Sequence, residues 1–235
     1  MISLLCPTRK RIQNLERMWN SAISLAGMPE NIELVLYIDK DDTETINILN
    51  NNTFTRYSQI TIILEEKKEI YSNLHNICAF KSKYDIIMGA ADDIIFRTHN
   101  WDLKIIDHFT KLPNDKIGYI YPNDGFNGEK LGTHGFFHKN WINTLGYLSP
   151  PIFSVDYSDN YVMELAQSVN RCIFDSTILV EHMHWSIGKA IFDITAREGH
   201  YRRLHNDNKG IFESSKLDIM QKDIQKLKDF IERNK

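Results

Sequence analysis

Three groups of polar residues follow directly after apolar runs: Pro7-Thr8-Arg9 after Ile2–Cys6, Asp39-Lys40-Asp41-Asp42 after Leu34–Ile38, and Asp92-Asp93 shortly after Asp85–Met88. If those runs are parallel strands of one sheet, the three groups meet at its carboxyl edge, where open α/β sheets bind ligands. Carboxylates with a few basic groups and no glycine cradle suit one task well. They can hold a diphosphate through a hard divalent cation, Mn²⁺ or Mg²⁺, whose shell is built from carboxylate, phosphate and water oxygens. There is no GxGxxG after the first run and no GxxxxGK[ST] in the chain, which argues against a dinucleotide site or a P-loop.

The elements between these groups are readable from periodicity. Pro7 closes the first run, and Thr8 is placed to cap a helix with Ile12, Leu15, Met18, Trp19 and Ala22 on one buried face. Leu34–Ile38 is continuously apolar and branched, the pattern of a strand covered on both faces. Asp42 or Thr43 opens a helix ending near Leu49, before a turn at Asn50–Asn52, and Ile60–Leu64 is a third strand. Ser72 is a candidate cap for a helix with Leu74, Ile77 and Cys78 inward, followed by the strand Asp85–Met88. This alternation predicts βαβ units and an α/β fold with a mostly parallel sheet between helices.

The order is less regular after Asp93. The spacing predicts a helix capped by Asn100 with Trp101, Leu103 or Lys104, Ile105 and Phe109 inside. It also predicts strands at Ile117–Tyr121 and Gly135–His138, a helix over Asp159–Val169, and separate strands at Cys172–Phe174 and Thr177–His182. From about Ser214, Leu217, Met220, Ile224, Leu227 and Ile231 mark one amphipathic helix. Its apolar stripe would pack on the domain or on a second copy as a homodimer, with a membrane surface as the lesser alternative. The segments Asn123–Thr133 and Gly199–Gly210 read as loops that would shape an acceptor site.

Composition sets outer bounds. At roughly 150 residues per domain, 235 residues make one domain or one and a half. Apolar residues at 42% and charged residues at 25% exclude a disordered or collagen-like chain. No apolar stretch approaches the ~20 residues of a membrane span, and the opening MISLLCPTRKR has its charges after its apolar part, unlike a signal peptide. Twenty-eight basic against thirty-one acidic residues, a net charge of −3, give no global field toward nucleic acid. The unpaired spacing of Cys6, Cys78 and Cys172 suits buried thiols in a reducing compartment, so a cytoplasmic location is expected.

The layout PTR, YIDKDD and IIMGAADDI resembles the nucleotide-sugar domain of GT-A glycosyltransferases, family 2 in particular, over roughly residues 1–195. The family's Asp-x-Asp motif falls on Ala90-Ala91-Asp92-Asp93 with its first aspartate missing. The resemblance implies that Asp92 holds the metal bridging a donor diphosphate, with Asp93 beside it. It further implies that Pro7, Thr8 and Arg9 wrap the nucleoside, that Asp39 contacts uracil or ribose, and that His75 and Ala91 lie against the nucleotide. Gly135-Phe136-Phe137 matches the strand that closes over sugar and acceptor. Asp159, with Asp156 as a second candidate, falls where the family keeps its catalytic acid pair. His182 and His184 fall where a histidine completes the metal shell, and being two apart on a strand they would face the same way; Lys189 would reach a phosphate.

The expectation is therefore a metal-dependent glycosyltransferase moving a sugar from a nucleotide-diphosphate sugar, a UDP-sugar first, to a hydroxyl of a glycan, lipid-linked or protein acceptor. The resemblance leans toward inversion, with Asp159 as base. It divides the chain into a domain over residues 1–213, with a nucleotide half at 1–98 and an acceptor half at 99–213, and a C-terminal helix at 214–235. Two rivals stand beside it. The missing acid at Ala90 suits an inactive GT-A domain that only binds a glycan or protein, and a sugar nucleotidyltransferase would share the sheet but needs a glycine-rich loop that PTRKR lacks. Several residues also have plain structural readings. Asp92-Asp93 suits a solvated turn, Asp42 and Asp159 suit helix caps, and His75 suits a helix surface. Arg9, Lys10 and Arg11 suit a solvated face, Glu65–Glu69 a solvated loop, and Trp101, Trp141, Phe136 and Phe137 a core.

Overall fold

A computed structural model describes residues 1–51, 59–66 and 70–235. The elements run β1 (Ile2–Thr8), α1 (Ile12–Leu25), β2 (Ile32–Asp39), α2 (Thr43–Asn51), β3 (Ile60–Glu65), α3 (Tyr71–Lys81), β4 (Ile86–Gly89), β5 (Ile94–Phe96) and α4 (Trp101–Lys111). They continue with β6 (Tyr119–Asn123), β7 (Phe136–His138), α5 (Lys139–Leu145), α6 (Ser158–Ser168), β8 (Cys172–His182), α7 (Ile194–His205), α8 (Asn208–Leu217) and α9 (Ile219–Arg233). Among the described residues the strands form one sheet in the order β3-β2-β1-β4-β7-β6-β8-β5. β1 to β4 pair in parallel, β7 runs against β4 and β6, β8 returns parallel to β6, and β5 runs against β8.

Alternation along the central strands explains the layering. Leu4 and Cys6 of β1, with Leu34 and Leu36 of β2, enter the core under α1 and α4, while Leu5, Val35 and Tyr37 enter the core on the other face. Both faces are covered, so these strands read as unbroken apolar runs. The second core also takes Trp141, Leu165 and Leu227, and so holds α5, α6 and α9 against the sheet. Trp101, Trp141, Phe136 and Phe137 are all buried in these cores, as their types suggested.

Several local expectations are corrected. β1 continues through Pro7 to Thr8, because beyond Leu5 it pairs only with β2, and a one-sided stretch tolerates a residue without an N–H. Thr8 therefore does not cap α1; Arg11 holds that position without a side-chain cap bond. Ser72 lies inside the first turn of α3, and its hydroxyl donates to the Pro150 carbonyl instead of capping. Asn100 precedes α4 in a left-handed conformation with no cap bond from its side chain, and Leu103 faces outward at 39% exposure because the buried face runs through Trp101, Ile105 and Phe109. Asp42 does act as a cap, accepting from the Thr45 amide ahead of α2, which runs on through Asn50 and Asn51; Asn52 lies outside the described residues.

The two late strands are one. β8 runs through Asp175, whose carboxylate accepts from the Thr177 amide and hydroxyl, and the ladder with β6 shifts register there. The single C-terminal helix is two, broken at Asp218, so Leu217 ends α8 at 85% exposure while Met220 and Leu227 of α9 are buried. The apolar stripe of α9 thus packs on the domain's own core. Gly199 to His205 and Asn208 to Gly210 are helical, not loop. Glu65 closes β3, and residues 67–69 of the charge run lie outside the described residues. Among the described residues no helix is long and apolar enough to cross a membrane.

Candidate active site

A cleft of about 280 Å³ opens at the carboxyl edge of β4, between the start of α6, the end of β8 and α7. A smaller cavity of about 130 Å³ continues from it past the ends of β1 and β2. The end of β1, Pro7 and Thr8, and Arg9 just past it wall the smaller cavity, and Asp39 at the end of β2 lines it too. Here one cation is held among carboxylates: Arg9 bonds Asp39 at 2.9 Å, grips Asp41 with both terminal nitrogens and has Glu198 3.7 Å from its Nε. The Thr195 hydroxyl donates to the Arg9 carbonyl at 2.8 Å, so α7 is tied across this end.

The acidic pair splits into two environments. Asp92 is 4% exposed and accepts from Thr8 at 2.8 Å and from Arg11 at 3.3 Å. Its burial, with Asp93 adding repulsion, raises its carboxyl to about 7. Asp93 faces the cleft, where its carboxylate lies 3.6 Å from His182 Nε2 and 3.6 Å from Arg11. Burial opposes ionisation of Asp93 too, but His182 and the other nearby cations outweigh it and hold it down at about 2. The resemblance gave Asp92 the metal; in this geometry Asp93 is the carboxylate that meets an imidazole. His75 stands below the turn with Nε2 2.9 Å from the Ala90 carbonyl, and burial lowers its pKa, so the neutral ring donates and fixes the backbone leading to Ala91 and the acids.

Across the cleft, Asp159 sits in the first turn of α6, raised to about 7, chiefly by burial, with Asp156 and Asp124 adding to the shift against His182. Asp156 lines the same cleft but is gripped by Arg203 through bonds of 2.6 and 2.8 Å. His182 ends β8, and despite its burial Asp93 raises its pKa. His184 is beyond the strand, so the two do not share a strand face as expected. Its ring stacks on Phe126 and its Nδ1 bonds Ser186, while burial and His182 lower its pKa. Lys189 is drawn to Glu181 at 2.7 Å and lines a separate cavity behind Arg11.

Two residues of the site went unread. Arg11, expected on a solvated face, is folded inward between Asp92, Asp93 and Asp193, with two 2.8 Å bonds to Asp193, which also caps α7. The only sequence hint was a third basic residue past the end of a strand, and its partner is far away in the chain. His134 is 7% exposed beside Asp93 and His182, and burial lowers its pKa to about 3, which keeps its ring neutral. It is seated by Gly135, where an added Cβ would fall 1.8 Å from the Tyr119 ring.

No protein-family model matches this chain, and comparison with curated proteins gives no match. Solved structures do match. A mannosyltransferase from Pyrobaculum calidifontis, in complex with GDP-Man and Mn²⁺, superposes at a TM-score of 0.62 with 14% identity, over 78% of this chain and 57% of that one. S. aureus TarS 1-349 in complex with UDP-GlcNAc superposes at 0.58 with 13% identity, over 76% of this chain and 57% of that one. The chain has the GT-A glycosyltransferase fold. It spans a little over half the length of these neighbours.

Among the described residues, no three His, Cys, Asp or Glu side chains converge as a ready metal site on this GT-A sheet. The donor set that is present is one carboxylate and one imidazole, Asp93 and His182. Two cis ligands of one octahedral ion lie about 3 Å apart, so a 3.6 Å separation fits a shared cation with little movement. Such a cation would draw the rest of its shell from diphosphate oxygens and water.

Proposed function

We propose that this chain is a glycosyltransferase that binds a nucleotide-diphosphate sugar with its nucleoside toward Pro7, Arg9 and Asp39 and its diphosphate at Asp93. The observation that carries the proposal is the placement of Asp93 and His182, 3.6 Å apart, in one cleft with the half-buried Asp159 at the carboxyl edge of a GT-A sheet. On this reading residues 1–98 form the nucleotide half and 99–213 the acceptor half. The structural neighbours carry GDP-Man in one case and UDP-GlcNAc in the other, which supports this donor class without choosing the base or the sugar.

Asp93 and His182 would hold Mn²⁺ or Mg²⁺, and the imidazole, a weaker ligand for magnesium, weights the choice toward manganese. When bound, the cation supplies Lewis-acid stabilisation of the charge on the leaving nucleoside diphosphate. Arg11, fixed by Asp193, adds positive charge on the same side. Asp159 acts as general base: its carboxylate takes the proton of the acceptor hydroxyl as that oxygen attacks the anomeric carbon, which gives inversion. A raised pKa near 7 makes it a stronger base than an exposed aspartate while leaving it ionised at slightly alkaline pH. Asp156 keeps Arg203 at the cleft wall and is not the base on this reading. The acceptor, a glycan, lipid-linked or protein hydroxyl, enters from the side of Asp159 and Trp185.

The test is turnover of a panel of UDP- and GDP-sugars, with Mn²⁺ and with EDTA. Nucleoside diphosphate release that needs the cation and falls away in Asp159→Asn supports transfer. Binding of nucleotide sugars with no release in any condition would leave a binding domain, the role for which the missing acid at Ala90 argues.

A further inference from the structure

Besides His200 Nδ1, two imidazole nitrogens deeper in the cleft are buried and, among the described residues, without a hydrogen-bond partner: His134 Nε2 and His182 Nδ1. They belong to neighbouring rings, with centroids 4.9 Å apart and planes at 78°. The Gly89 backbone acts on the His134 ring as a hydrogen-bond acceptor does, raising its pKa against burial, and since Nε2 has no partner among the described residues, Nδ1 is left to face it. A backbone carbonyl only accepts, so the proton is on Nδ1 and Nε2 presents a lone pair. The His134 side chain is therefore an acceptor with nothing to accept from.

His182 has the complementary need. Its Nε2 is the nitrogen on the Asp93 side, and a histidine that gives one nitrogen to a metal carries its proton on the other, which almost always donates to a fixed acceptor. The Asp124 carboxylate nearby is already taken by the amides of Phe126, Asn127 and Gly128 and by Thr133, and His184 Nδ1 is taken by Ser186. We infer that His134 is the positioning residue for His182, accepting its Nδ1–H and so fixing the tautomer and ring orientation that present Nε2 beside Asp93. This role rests on the cation site proposed above and adds to it a residue that touches neither cation nor donor. Gly135, whose missing Cβ lets the backbone next to His134 pass against the Tyr119 ring, is part of the same support.

The test measures Mn²⁺ binding by electron paramagnetic resonance with UDP or GDP present, in wild type, His134→Leu and His134→Gln, with circular dichroism to confirm folding. Loss of an outer acceptor of this kind costs about 10- to 100-fold in metal affinity, so the leucine variant should weaken by that factor while glutamine, whose amide oxygen accepts, should stay within ~3-fold of wild type. Leucine binding as tightly as wild type, or glutamine binding no better than leucine, would overturn the inference. Long-range ¹⁵N–¹H spectra of the wild-type imidazoles with UDP and Mg²⁺ decide it without a variant. Protons on Nδ1 of both His134 and His182 are expected, and a proton on Nε2 of His134 would refute the role. Wild-type protein that binds no Mn²⁺ with either nucleotide would instead remove the cation reading itself, and this role with it.

Discussion

The two ends of the cleft are built on opposite electrostatic plans. At the nucleoside end Arg9 is matched by Asp39 and Asp41, and Thr195 pins the loop that carries it. At the deep end His134 and His182 keep buried nitrogens without a hydrogen-bond partner among the described residues, and burial raises Asp159 to about 7. Buried polar groups are costly to leave unmatched, and such sites concentrate where chemistry needs them. On the proposed function, one end recognises the nucleoside and the other is held ready for groups that arrive with the substrate. Substitutions at the first should act on affinity, and substitutions at the second on turnover.

The largest effect is expected at the deep end. Asp93→Ala should lower kcat/KM by ~10³-fold or more, because it removes the carboxylate of the cation pair; kinetics in a manganese titration would show no recovery at saturating ion. Asp159→Asn should lower kcat by ~10²- to 10⁴-fold with little change in donor KM, the signature of a lost general base. An Asp159→Asn enzyme with wild-type turnover would assign the base elsewhere or point to retention. Arg9→Ala at the matched end should weaken nucleoside diphosphate binding by ~10- to 100-fold, the worth of a charged hydrogen bond, with kcat held, as read by calorimetry. If Arg9→Ala moved kcat instead, the division between the two ends would fail.

pH gives the subtler effects. Activity should rise with pH and level off above about 7 as Asp159 ionises, and Asp159→Asn should flatten that limb. Stability should move the other way. The folded pKa of Asp159 lies above its ordinary 3.8, so the folded state binds the proton more tightly. Its contribution is most favourable below about 4 and is lost as pH rises through about 7, a window that Asp92 shares. At pH 8, Asp159→Asn should therefore melt a few degrees higher, about 1–3 kcal/mol, measured by calorimetry against the wild type.

The parallel half of the sheet was legible because burial on both faces leaves continuous apolar runs, as in Leu34–Ile38, and the strand ends then point to Thr8, Asp39 and the acidic pair. The second half was harder. β5, three residues long, is too short for periodicity, whereas the equally short β7 was legible at Gly135–His138, and the bulge at Asp175 made β8 look like two strands. Choosing between Asp92 and Asp93 needed the direction of each side chain, which depends on Thr8 and His182, residues far away in the chain. Arg11 looked solvated because Asp193, which draws it inward, is 182 residues distant. His134 carries no local signal: its meaning comes from a carbonyl on β4 and a ring at the end of β8.

The proposed chemistry depends on Asp93 and His182 together holding a divalent cation on the donor diphosphate. Crystals grown with UDP or GDP and Mn²⁺, measured for anomalous scattering, test it most directly. One manganese peak is expected within bonding distance of an Asp93 carboxylate oxygen and of His182, with diphosphate density against it. A diphosphate ordered in the cleft with no manganese at Asp93, or with Arg11 alone on its oxygens, would contradict it.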